Sequence, residues 1–264
     1  MRGHRFAKPP WRRRDAYLAT KRPTAKIFSE RPVATGEIPK RCALFGLLKR
    51  KEKWVLSWRG RLVVGAAVLI LVGAFISWIH PFLAVTERVD TPYLVIEGWI
   101  PNYGLEASMA EFKTKPYQMI FTVGADPLTG KNIEPGDSIA LEAYKRLKWM
   151  GMNMDVVQAV PAHIKYRDRT FQSAAALRKW IEENHLPVTS FNLVTLGPHA
   201  RRSRLLFEKA FAGSARVGII SVENREYDPK RWWKYSEGVK EVIGEGVGYL
   251  YARFVFHPGN ADSN

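Results

Sequence analysis

The sequence predicts an α/β fold, a mainly parallel sheet with helices on both faces, preceded by one transmembrane helix. Three observations carry that expectation. Residues 62–79 read LVVGAAVLILVGAFISWI and hold no charge. From residue 93 onward, short apolar runs alternate with segments of helical apolar spacing, the order that gives βαβ units with right-handed crossovers. Charge is also divided unevenly. Residues 1–61 hold 18 of the 41 Lys+Arg but 4 of the 25 Asp+Glu, a net of +14, which leaves 23 and 21, a net of +2, for the remainder.

The apolar stretch is justified first by length. Eighteen residues at helical rise span about 27 Å, close to a bilayer core. Trp54 and Trp58 lie before it and Trp78 near its end, where interfacial aromatics belong. A soluble core helix would carry a polar stripe, and this stretch has none. A cleaved signal peptide would start earlier, be shorter and end at a small-residue site, so a signal anchor over residues 54–85 fits best. Lys49, Arg50, Lys51, Lys53, Arg59 and Arg61 face Glu52 alone on the N-terminal flank. Arg88 faces Glu87, Asp90 and Glu97 on the other. The positive-inside rule then places the N-terminus in the cytoplasm and residues 86–264 outside it, in a periplasm or its equivalent, the topology of a single-pass protein.

Residues 1–53 contain Pro9, Pro10, Pro23, Pro32 and Pro39 and no sustained apolar period, so a basic, disordered cytoplasmic tail is expected. Its Arg12-Arg13-Arg14 and Lys49-Arg50-Lys51 runs suit anionic lipid, RNA or a solvated topology signal alike. The nearly neutral remainder argues against a globular domain that grips nucleic acid. Cys42 is the one cysteine, which excludes an intrachain disulfide and CxxC motifs.

Strands are expected at 93–98, 119–124, 155–160, 191–196 and 217–222, each a short apolar run of the kind buried in a parallel sheet. Helices are expected at 105–114, 138–150, 170–184 with Thr170 as N-cap, 198–211 and 236–254. The last contains Gly238, Gly244, Gly246 and Gly248, an unfavourable composition unless close packing compensates.

In such folds ligands bind beyond the C-terminal ends of the strands. The segment Val194-Thr195-Leu196-Gly197-Pro198-His199-Ala200-Arg201-Arg202 places a helix start at that edge. Its free N–H groups and dipole favour an anion, and His199 and Arg202, three residues apart, share one face with Leu206. A phosphate or carboxylate site is expected there, with Arg201 as a further cation. Lys165-Tyr166-Arg167-Asp168-Arg169-Thr170 follows the third strand on the same edge, so Arg167, Arg169 and Thr170 are candidates for the same ligand. Glu97, at the end of the first strand, is the acid/base candidate beside His199, or else an ion-pair partner for Arg202. The six histidines show no HxxxH or HxH spacing, so no metal site is expected. With no GxSxG, P-loop or GxGxxG, no cofactor is implied.

Residues 92–225 resemble the YdcF-like domain of unknown function. The resemblance rests on Val194-Thr195…His199…Arg202, on Thr122-Val123-Gly124 in place of Thr/Ser-Gly-Gly, and on Arg167…Thr170…Gln172-Ser173-Ala174 in place of Ser-x-x-Thr-x-Glu-Asn-Ala. Glu97-Gly98-Trp99 departs from the family's Gly-rich first loop, and Gln172 and Ser173 replace its Glu and Asn, which marks a divergent subfamily. The resemblance implies a Rossmann-like fold. For membrane-anchored members it also implies a role in envelope biogenesis linked to polyprenyl-phosphate carrier lipids. The expected function is therefore binding of a phosphorylated or anionic envelope precursor, whether lipid or small molecule, by an extracytoplasmic domain. The alternative is a non-catalytic membrane scaffold that recruits envelope enzymes.

Overall fold

A computed structural model describes residues 53–125, 138–162 and 168–260. The tail expected over 1–53 lies outside them except for its last residue. The first helix, α1 (Trp58–Leu83), begins at Ser57, whose hydroxyl accepts from Gly60 N–H, and continues four residues beyond the apolar stretch through Pro81. Its 26 residues span about 39 Å. It is the one helix among the described residues long and apolar enough to cross a membrane, and its apolar window makes no burying contact.

Five strands follow: β1 (Tyr93–Glu97), β2 (Met119–Ala125), β3 (Val157–Ala162), β4 (Ser190–Leu196) and β5 (Arg216–Val222). They form one all-parallel sheet in the order β3-β2-β1-β4-β5, which is the expected Rossmann-like α/β architecture. Helices α2 (Asn102–Thr114) and α3 (Ile139–Trp149) cover one face, where Leu94, Ile96, Ile120 and Val194 meet Leu105, Ala143 and Leu147. Helices α4 (Arg169–Glu183), α5 (His199–Phe211) and α6 (Ser236–Phe254) lie on the other, where Val95, Phe121, Leu193 and Ile219 meet Leu177, Phe207 and Ala252. Alternate strand residues thus feed opposite cores, which is why the central strand β1 reads as a continuous apolar run up to Glu97. The third strand starts two residues later than expected because Met154–Val156 forms a 3-10 turn.

The link between α1 and β1 is ordered by pairing. Glu87 exchanges two backbone hydrogen bonds with Ile219 at 2.8 Å, antiparallel to the edge strand β5. Ser221 N–H donates to Thr86 Oγ1, and buried Asn192 bonds both backbone groups of Val89 at 2.8 Å. Thr91 reaches Ser190 near the start of β4. The link therefore descends from the C-terminal to the N-terminal edge of the sheet. Helix α1 joins the domain at the C-terminal edge.

The last turns of α1 belong to the domain's interior. Leu83 is fully buried with Tyr227, Trp232 and Val242, and Ile76, Ile79, Phe82 and Tyr249 pack around them. Trp232 Nε1 donates to the Ile76 carbonyl at 3.0 Å. Trp232 lies in a 3-10 segment, Pro229–Lys234, that leads into α6. Helix α6 forms with the bounds its pattern predicts, and two of its four glycines, Gly238 and Gly248, are required by close approach. A Cβ on Gly238 would stand 2.4 Å from the Trp232 carbonyl, and one on Gly248 would stand 3.0 Å from Arg202 Cδ. Close packing therefore offsets the weak helix propensity of glycine.

Candidate functional site

Strands β1 and β4 are neighbours in the sheet, but the chain leaves them in opposite directions. A crevice opens beyond their C-terminal ends, as the reversal of strand order requires. Glu97 ends β1, Thr195 lies near the end of β4, and His199, Arg202 and Ser203 occupy the first turns of α5. All five side chains meet at one point. Glu97 is 3% exposed. Its carboxylate accepts a short hydrogen bond from the Thr195 hydroxyl and one from Ser203 Oγ, which stands 3.1 Å from each oxygen. His199 Nε2 stands 3.6 Å from Glu97 Oε2, and the ring meets Trp99 edge-to-face at 5.0 Å.

A sixth group completes the cluster. Glu245, from the middle of α6, takes Arg202 Nε at 2.6 Å and Arg202 NH2 at 3.0 Å, and its Oε1 lies 3.0 Å from His199 Nδ1. Burial alone would lower the pKa of His199, but the carboxylates of Glu97 and Glu245 outweigh it and push it up to about 9. The ring is thus an imidazolium at neutral pH. Nδ1 and Arg202 NH2 are also 3.0 Å apart. Since both are donors, they share Glu245 Oε1 rather than bond each other. Glu245 itself would be raised by burial, but His199 and Arg202 hold it at about 2. Glu97 is likewise held below the usual carboxylate range: burial opposes ionisation, and the imidazolium with the two hydroxyls outweighs it. The result is two cations balanced by two carboxylates. Within this cluster, His199 Nε2 is buried without a hydrogen-bond partner.

This arrangement changes the expected anion site. His199 and Arg202 are already met by Glu245 of α6 and Glu97 of β1, and the hollow beside Leu196 and His199 is lined by Glu237, Glu241 and Glu245 with Lys240. The other side of the cluster borders a crevice of about 530 Å³, a size suited to a small ligand. One wall is the start of α4, with Asp168, Arg169, Thr170 and Ser173. Asp168 sits at φ 49° and gives the helix no side-chain cap, so the first-turn N–H groups have no intrahelical partner and no capping oxygen from Asp168. Thr170 is therefore the second helical residue, not the N-cap, because the left-handed turn at Asp168 starts the helix one residue early. The apolar side chains of Leu206, Tyr251, Ala252 and Phe256 also line it.

Among the other expected site residues, Arg201 does not line the crevice. Its guanidinium lies 4.1 Å over the Phe82 ring and Nε donates to the Phe82 carbonyl, so it fixes α1 to α5. The reason is helical phase, since neighbouring residues point about 100° apart. Arg202 pairs with Glu245 rather than Glu97, and Arg204 pairs with Glu87 and Glu208. Arg167 lies outside the described residues. No group of three or more His, Cys, Asp and Glu side chains among the described residues is arranged to hold a metal ion.

Glu245 and Ser203 are not among the site residues the sequence predicts, and Thr195 enters only through the family-like motif Val194-Thr195…His199…Arg202. Ser203 carried a signal, being four residues from His199 and so on the same helix face. Glu241, Glu245, Gly248 and Ala252 also form a polar and small stripe on an otherwise apolar helix.

Comparison with protein-family models, with curated proteins and with solved structures gives no match.

Proposed function

We propose that this chain is a single-pass membrane protein of a bacterial inner membrane, N-terminus in the cytoplasm. Its extracytoplasmic domain, a divergent member of the YdcF-like group, binds a phosphorylated envelope precursor of the polyprenyl-phosphate class. The carrying observation is the mixed lining of the crevice, which combines the start of α4, with Arg169 and Thr170, and the apolar side chains of Leu206, Tyr251, Ala252 and Phe256. A phosphate head with a hydrocarbon body matches both. The motif His199-x-x-Arg202 and Ser173, which stands where YdcF-like domains have Asn, border the same crevice. His199 would hold the proton available to a leaving group, and Glu97, too enclosed to touch a ligand freely, would be its positioning residue.

The test is calorimetry of the full chain in detergent with a short polyprenyl phosphate and with the corresponding alcohol. The phosphate should bind and the alcohol should not. Arg169→Ala should weaken phosphate binding by about tenfold to a hundredfold, from a charge-assisted contact of about 1.5–3 kcal/mol. Equal affinity for phosphate and alcohol would refute the proposal. The scaffold reading draws support from Glu245, which already satisfies both cations of α5; it requires that neither compound binds.

A further inference from the structure

Helix α6 divides its surface three ways. Glu241, Glu245, Gly248 and Ala252 turn toward the two hollows beside His199. Val242 and Tyr249 pack on the last turns of α1. The third face is apolar and exposed: Val239, Ile243, Val247, Leu250 and Phe254, the last 71% exposed. Their spacing of three and four residues makes one continuous stripe. We infer that this stripe, with the 3-10 segment leading into it, rests on the outer surface of the bilayer that α1 crosses. The crevice then opens at headgroup depth and takes its ligand from the membrane rather than from bulk water.

The inference rests on α1 spanning the membrane as proposed above, and depth carries it. A hydrocarbon core of about 30 Å takes about 20 helical residues, which counted from Leu62 ends near Pro81. The segment Pro229–Lys234 is fixed beside the last turns of that span, between Ile76 and Pro81. Trp232 bonds the Ile76 carbonyl, and Pro229, Lys230 and Trp233 enclose a hollow of about 310 Å³ with Ser77 and His80. Such a segment cannot sit in bulk water while α1 is inserted. Its composition agrees. Trp233 and Tyr235 are partly exposed, and Lys230, Arg231 and Lys234 are exposed, the aromatic and basic mixture that suits an interface with anionic lipid. The chain path agrees as well, since α1 joins the domain at the C-terminal edge of the sheet, where the crevice opens. Tyr251 lines the crevice beside the stripe.

The experiment places single nitroxide labels on the full chain in a Cys42→Ser background, reconstituted in phosphatidylcholine–phosphatidylglycerol vesicles. Labels go at Val247→Cys and Phe254→Cys, with Asn184→Cys on the opposite edge of the sheet and Leu69→Cys within α1. Collision with oxygen is compared with collision with a water-soluble nickel chelate. Labels at Val247 and Phe254 should show an oxygen-to-nickel ratio several-fold above that at Asn184. Ratios equal to that at Asn184, with Leu69 still lipid-exposed, overturn the inference and leave the span intact. Low collision with both agents at Val247 and Phe254 means a protein partner covers the stripe and also overturns it. Nickel access at Leu69 would overturn the span itself and the inference with it. Each variant should melt within the wild-type range, since both stripe positions are exposed.

Discussion

Replacing Glu245 with Gln should reveal how much the buried charge cluster holds the domain together. The substitution keeps shape and one acceptor but removes the charge that faces His199 and Arg202 at 2.6–3.0 Å. The carboxylate is held at about 2 against an ordinary 4.5, a difference of roughly 3 kcal/mol at 1.36 kcal/mol per unit. Breaking a buried pair from one side costs about as much. For a domain of this size the loss corresponds to a Tm lower by roughly 6–12 °C. The pH dependence has a definite sign. The depressed Glu245 contributes fully above 4.5 and loses its contribution as pH falls toward 2. The raised His199 contributes fully below 6.5 and loses its contribution as pH rises through about 9. The two shifts describe one shared interaction, so they are not added. The gap in Tm between wild type and Glu245→Gln should be widest between pH 4.5 and 6.5. It should narrow toward pH 9.5 without closing, because Arg202 stays charged. Thermal unfolding of both proteins across pH 4–10 measures this. A gap that is flat between pH 6 and 9.5, or smaller than about 1 °C throughout, would mean that the Glu245–His199–Arg202 charges do not hold the domain together.

Trp232→Ala should cost about 3–5 kcal/mol, because the ring is 3% exposed and its Nε1 bonds the Ile76 carbonyl; limited proteolysis between α1 and the domain should speed up in parallel. Thr195→Val should remove a hydrogen bond to the Glu97 carboxylate and cost about 1–3 kcal/mol, read from chemical denaturation at pH 7, with the loss shrinking in acid as Glu97 protonates. A reporter fused after the last residue should be active as a phosphatase and dark as a fluorescent protein that folds only in the cytoplasm. The reverse pattern would invert the topology drawn from the charges flanking α1.

The fold was legible because its signals are local. Five strands buried on both faces leave continuous apolar runs, and α3 is capped by the Ser138 hydroxyl at the expected place. Helix α6 was legible in extent but not in role. Gly238 admits Trp232 and Gly248 admits Arg202, contacts that no period of the sequence records. The site was half legible. His199, Arg202 and Glu97 do converge, because each sits at a strand end or helix start that topology sends to one edge. Their charges were not legible. Glu245 reaches Arg202 from 43 residues away and turns an expected open anion cradle into a neutral cluster. Arg201 was misjudged because Phe82, its partner, lies 119 residues earlier on a helix read only as an anchor. The start of α4 was placed one residue late because a left-handed Asp168 leaves no pattern in the sequence.

The most direct measurement is photo-crosslinking of the full chain in native membranes with a photoreactive short-chain polyprenyl phosphate, followed by peptide mapping. Label is expected in two peptides, one spanning the start of α4 around Arg169 to Ser173 and one in α6 around Tyr251, with both competed away by unlabelled polyprenyl phosphate but not by the alcohol. Label confined to α1, or label at those peptides that the alcohol displaces equally well, would contradict it.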